Sequence, residues 1–153
     1  MKNRVKAFST NVFLIFLIVL TIYIGYVGFI GGPRRAYERE DQLHVEAMMK
    51  LKGYQEARLL SRFSLDQVYY ITEIKEESGS KIVWFNKALD AFGEHDMVTY
   101  EPVYDLAESL DISNRKIRFG VYDDKLVYVL KTKNKEVFVD VDDLSVVFEL
   151  EDF

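Results

Sequence analysis

An α+β protein is what this sequence predicts: an N-terminal transmembrane helix followed by two helix-plus-antiparallel-sheet units. Three observations predict it. Val12 to Ile30 is a run of nineteen residues without a charge. Two later stretches, starting at Arg34 and Pro102, have helix-forming composition. Around them, apolar residues recur at every second position, the period of half-buried strands.

The apolar run is VFLIFLIVLTIYIGYVGFI. As a helix it rises about 28 Å, close to the hydrocarbon thickness of a bilayer. It is apolar on every face, whereas a soluble helix of ordinary size buries one stripe. Lys2, Arg4 and Lys6 precede it, and Pro33, Arg34 and Arg35 come after it. A cleaved signal peptide fits less well. The run exceeds the roughly 7–15 apolar residues of such signals, and no A-x-A-like site is present after it. A cut after Gly32 would leave Pro33 as the next residue. The expectation is therefore an uncleaved single-pass anchor in the cell membrane. A short basic tail is retained inside more readily than a long domain, so the N-terminus is expected in the cytoplasm and the C-terminal domain outside. The expected divisions are a tail at 1–6, an anchor at 7–33, a juxtamembrane helix and first unit at 34–101, and a second unit at 102–153.

Gly25, Gly28 and Gly32 are spaced by three and four residues. They form a small-residue face where another membrane helix can approach closely. The alternative is that Gly31-Gly32-Pro33 simply ends the helix. Tyr23 and Tyr26 are placed as interfacial anchors.

Arg34 to Lys52, RRAYEREDQLHVEAMMKLK, predicts a helix that leaves the membrane and sets the height of the domain. Leu43, Ala47 and Leu51, with Met48 beside them, are its expected buried stripe. Gly53 is its expected end. Ala57–Phe63, Val68–Lys75 and Lys81–Asn86 are expected strands, the last two as a hairpin around Glu76–Ser80. Lys87–Asp96 is ambiguous, and Met97–Glu101 is a further short strand. Pro102–Leu110 predicts a second helix, with Pro near its first turn. A meander closes the chain. Ile117, Phe119 and Val121 share a face, then Leu126, Tyr128 and Leu130, then Val137, Val139 and Val141, then Leu144, Val146, Phe148 and Leu150. Asp123-Asp124, Lys133–Lys135 and Asp142-Asp143 are the turns. Each α+β unit has about 55 residues, too few to bury much alone, so the two are expected to share one core.

Charge narrows the partners. The chain has 153 residues, with 20 Lys+Arg against 25 Asp+Glu. From residue 7 onward the balance is 17 against 25, a formal charge of −8, the opposite of a nucleic-acid-binding face. There is no Cys, so disulfides and Cys-based zinc sites are excluded. His44 and His95 are the only histidines, and neither is in an H-x-x-x-H pair. Asp140, Asp142 and Asp143 lack the spacing of a calcium loop and read as a solvated turn. No serine lies in G-x-S-x-G or S-x-x-K, and no glycine loop suits a phosphate; Gly79 and Gly93 are isolated turn residues. Glu76-Glu77 and Asp123-Asp124 sit in turns, not in the buried surroundings that tune an acid catalyst. No catalytic residue, metal, cofactor or small-molecule substrate is expected.

The order of elements resembles the TseB-like cell-wall elongation regulators, whose two halves are PepSY/cystatin-like. Val68-Tyr69-Tyr70-Ile71 followed by Ile82-Val83-Trp84 is similar to that family's first hairpin. Leu126 to Asp140, running into VFVDVDD, is similar to its closing strands, although Asp142-Asp143 stands where the family usually carries a Thr-Gly turn. The resemblance covers most of residues 40–150 and brings no catalytic signature. It implies a membrane-anchored, non-enzymatic accessory that binds and regulates a penicillin-binding protein, or another cell-wall synthesis enzyme, during wall elongation in Gram-positive bacteria. The alternative it carries is a PepSY-type regulator or inhibitor of a membrane or surface protease. A small surface enzyme is a third class, one that needs a cleft with convergent polar groups.

Three groups are the candidate contacts with such a partner: the glycine face, Gly25, Gly28 and Gly32; the strand residues Ile82, Trp84 and Phe85; and the helix Arg34 to Lys52 that sets the height of the domain. Lys81–Asn86 is apolar on both faces. It is therefore either a central strand between a core and a helix or, through Trp84 and Phe85, a binding hot spot.

Overall fold

The computed structural model describes residues 2–77 and 79–151. The chain forms two compact units, Met1–Glu40 and Asp41–Phe153.

The first unit is helical. Helix α1 (Lys2–Gly25) passes into a π-helical turn (Tyr26–Gly31) and then into α2 (Gly32–Lys52). Every large apolar side chain named from Val12 to Phe29 is exposed, from 38% at Leu20 to 86% at Phe29. This helix is long and apolar enough to cross a bilayer, and none of its apolar window is buried within the protein. The Thr21 hydroxyl donates to the Leu17 carbonyl at 2.8 Å, so it is satisfied inside the helix. Gly31-Gly32-Pro33 does not end the helix, contrary to that reading of the sequence. A proline has no backbone N–H to donate to a helical ladder. A π-turn widens the ladder immediately ahead of Gly32 and Pro33.

Helix α2 continues into the second unit and stops where the sequence expects. Gly53 takes φ +76°, and the Tyr54 N–H reaches back to the Met49 carbonyl at 3.0 Å. That is the six-to-one bond of a Schellman cap, accompanied by packing of Met49 and Tyr54 on one apolar cluster. The buried stripe differs from the expected one. Val45 (7% exposed) and Met48 (0%) face inward, while Leu43 (57%) and Leu51 (60%) face outward. Polar partners select this face: Asp41 pairs with Arg62 at 3.3 Å, and His44 stacks on Tyr70 at 5.1 Å.

The second unit holds two antiparallel four-stranded sheets, each in sequence order. The first comprises β1 (Glu56–Ser64), β2 (Val68–Glu76), β3 (Gly79–Asn86) and β4 (Phe92–Asp96). The second comprises β5 (Ile117–Tyr122), β6 (Lys125–Lys131), β7 (Lys135–Asp140) and β8 (Val146–Glu151). A 3₁₀ turn (Glu101–Val103) and the short α3 (Tyr104–Ser109) lie between them in sequence. The expected strand at Met97–Glu101 is absent; the strand is β4, one step earlier. Phe92 and Gly93 pair with Phe85 and Trp84 there, so β4 completes the sheet over the aromatic end of β3. Gly93 is thus a strand residue, not a turn residue. A Cβ on it would run into the Trp84 indole.

Two apolar clusters fill this unit. Val45 and Met48 of α2 meet Tyr70, Ile74, Val83 and Phe85 on one face of the first sheet. The other face contributes Phe63, Tyr69, Ile71, Ile82 and Trp84 to a larger cluster shared with the second sheet and with Val103 and Ala107. The expected face of the meander is buried in its first three strands, where Ile117, Phe119, Val121, Leu126, Tyr128, Leu130, Val137 and Val139 are at most 8% exposed; on β8 the expectation fails, since Val146 (49%) and Leu150 (37%) are exposed and only Phe148 packs on the core. Strands β6 and β7 go further, since Val127, Val129 and Phe138 on their opposite face are buried too. Phe63 meets Phe138 edge-on at 5.8 Å, and Tyr100 stacks on Phe119 at 4.5 Å. The two halves therefore share one core.

Candidate functional site

Of the groups singled out in the sequence, the glycine face and the Trp84 strand fare differently. Gly25 and Gly28 lie on the apolar helical segment, and an added Cβ at either would meet nothing within 4 Å. The surroundings of Gly32 lie outside the described residues. Ile82 (0%), Trp84 (7%) and Phe85 (0%) are inside the core. Their strand has the first of its two expected roles, with Phe85 toward α2 and Ile82 and Trp84 toward the larger cluster. Its side chains offer no outward apolar patch, because both faces of β3 are already covered.

A polar arrangement at one end of the sheets was not singled out in the sequence. It begins at Asn86, the last residue of β3, which is 4% exposed. Its side-chain oxygen accepts from the backbone N–H groups of Asp90 and Ala91, at 3.1 and 3.2 Å. Those bonds fix which way the amide points. Its nitrogen then donates to Asp90 Oδ1 at 2.6 Å and to Gln67 Oε1 at 3.0 Å. That in turn fixes Gln67, whose nitrogen donates to the Tyr69 hydroxyl at 2.6 Å. Tyr69 is 5% exposed and borders an open cleft of about 360 Å³. The cleft lies between the β1–β2 turn, with Asp66 and Gln67, and the β5–β6 turn, with Tyr122, Asp123 and Asp124. Burial, and after it the carboxylates of Asp124 and Asp66, push the Tyr69 hydroxyl pKa up. It stays protonated at neutral pH.

A solvated turn is what the sequence predicts at Asp123-Asp124, and the turn is real. Both residues take positive φ, +49° and +58°, in the two-residue connection of the β5–β6 hairpin. Only the fold brings it to the turn at Asp66, 57 positions earlier. The sole local signal was two short acidic turns with tyrosines beside them.

The other polar clusters are structural. Glu136, 8% exposed, accepts from Arg118 at 3.0 Å and Lys131 at 2.9 Å across β5, β6 and β7. Tyr128 donates to the Thr99 carbonyl at 2.5 Å, and burial pushes its pKa up to about 12. His95 on β4 meets Asp142, in the β7–β8 turn, at 2.9 Å, with the Asp96 carbonyl 2.7 Å from its other ring nitrogen. The Asp142-Asp143 turn caps itself: Asp140 Oδ1 accepts from the Asp142 N–H, and Asp143 Oδ1 from the Ser145 N–H, each at 2.8 Å. Among the described residues no group of three or more His, Cys, Asp or Glu is placed to hold a metal ion.

No protein-family model, curated protein or solved structure matches this chain.

Proposed function

We propose that this chain is a membrane-tethered binding module, with its N-terminus in the cytoplasm and its α+β domain outside. The observation that carries the reading is the apolar helix. Its large side chains from Val12 to Phe29 are exposed all round, and nothing in the protein covers them. In water such a surface is costly; in hydrocarbon it is at home. A tethered domain needs only weak contacts, because a partner in the same membrane is already at high effective concentration.

The partner we propose is a penicillin-binding protein or another cell-wall synthesis enzyme. That identity rests on the resemblance of the β2–β3 hairpin and the closing meander alone. The open face at Gly25 and Gly28 supports a helix–helix contribution within the membrane.

The test is crosslinking in native membranes followed by mass spectrometry, with a reporter active only outside the membrane fused after Phe153. An active reporter and a crosslinked penicillin-binding protein are expected, with recovery reduced in Gly28→Leu. A silent reporter overturns the topology. Recovery of a membrane protease in place of a wall enzyme replaces the partner with the PepSY-type alternative.

A further inference from the structure

We propose that Arg35 and Arg39, both exposed on α2 just past the apolar run, hold the phosphate of an anionic phospholipid headgroup. Their two guanidinium groups clasp one phosphodiester at the C-terminal end of the anchor. The inference deepens the tethered reading above and rests on it.

Two independent observations carry it. The first is unpaired charge. Arg34, Arg35 and Arg39 are all exposed, and Glu38, Glu40 and Asp41 lie among or just after them. Each of these carboxylates already has a partner. Glu38 accepts from Arg34 at 2.9 Å, and Asp41 pairs with Arg62 of β1 at 3.3 Å. Glu40 is half-buried and likewise partnered. Arg35 and Arg39 take part in none of the ion pairs among the described residues. They stand four apart, so their side chains share one face of the helix. Two guanidinium groups side by side repel each other, and together they match the oxygens of a phosphate.

The second is height. The helix runs on from the apolar segment through Tyr26–Gly31 into α2 without a stop. Arg35 and Arg39 stand five and nine positions past Ile30, a rise of about 7 and 14 Å. The headgroup layer of a bilayer occupies about 5–8 Å beyond the hydrocarbon on each side. Helical side chains lean toward the N-terminus, here toward the bilayer, and a long Arg side chain extends that reach. Both guanidinium groups therefore come down to the phosphate layer. A zwitterionic lipid offers a phosphate already balanced by its own ammonium group. An anionic lipid offers one that is not, so unpaired arginines select it.

The test uses the full chain, reconstituted in vesicles of equal parts phosphatidylcholine and phosphatidylglycerol with identical acyl chains. After release into neutral detergent, native mass spectrometry reads which lipids the protein retains. The parent should retain phosphatidylglycerol preferentially. Arg35→Gln with Arg39→Gln should lower that preference about tenfold. Both sites are exposed and Gln is a good helix former, so this variant should melt as the parent does. Arg35→Lys with Arg39→Lys keeps the charge but not the forked donors, and should lose about threefold. Inorganic phosphate and acetyl-triglutamate amide should not displace the retained lipid. Equal preference in parent and Gln variant, full preference in the Lys variant, or displacement by either soluble anion would each overturn the proposal. No lipid preference, beside an active outside reporter and intact crosslinking to a membrane partner, overturns this site and leaves the proposed function standing. Extraction of the chain from the vesicles by alkaline carbonate overturns the tethered reading, and this site with it.

Discussion

Trp84 fits into the first sheet because its neighbour on β4 has no side chain. The two residues are direct register partners, and an added Cβ at Gly93 would overlap the indole. Gly93→Ala must displace the ring, the strand or both. The expected cost is about 1–3 kcal/mol, typical of overpacking. It should appear as a lower melting temperature with a shifted Trp84 emission, and an unchanged melt would refute the close contact. His95 acts through charge. Burial alone would lower its pKa, but the Asp96 carbonyl and then Asp142 outweigh that, so the pKa is raised. The unfolded value is about 6.5. The stabilisation from this pair is therefore full below that pH and is lost as pH rises through the raised folded value. Melting temperatures compared from pH 5.5 to 8.5 should show the parent losing its advantage over His95→Gln. A gap that does not change with pH would mean that the pair contributes nothing to stability.

Helix α2 shows what periodicity settles at the scale of an element and what it leaves open. Leu43, Ala47 and Leu51 form one apolar row at helical spacing, and Val45 and Met48 form another. Both satisfy an amphipathic pattern. The sheet chooses the second, where Tyr70 receives His44 and Arg62 receives Asp41. Met48→Ala should then cost about 2–5 kcal/mol, as a buried large-to-small change does. Leu51→Ala should stay within about 0.5 kcal/mol. Chemical denaturation of both variants checks this, and equal effects would reject the observed face. The π-turn at Tyr26–Gly31 is a parallel case. Gly and Pro mark trouble for a helix, but the helix-forming strength of the next segment decides whether the chain stops or widens its ladder. Here that segment, Arg34 to Lys52, is strongly helix-forming.

At the scale of the second unit, the shared cluster ties β7 to β3. Val139 is fully buried in it and Trp84 belongs to the same cluster. Val139→Asp puts a charge there with no partner, a cost of several kcal/mol against a total stability of about 5–15 kcal/mol. The Trp84 emission should report unfolding along with far-UV dichroism, although the substitution lies in the other sheet. Native-like Trp84 emission beside a lost second sheet would mean two separate cores. The sequence by itself determined the apolar helix, the order of the elements and nearly every strand, because those arise from local composition and from periods of two and 3.6. It also held the two readings of Lys81–Asn86 without choosing between them. Only the tertiary structure decided that Ile82, Trp84 and Phe85 are interior, that Gly93 is a strand residue and that Tyr69 borders an acidic cleft. Those are relations between segments tens of residues apart. A side chain's period says which neighbours share its face; the partner opposite that face is set by packing.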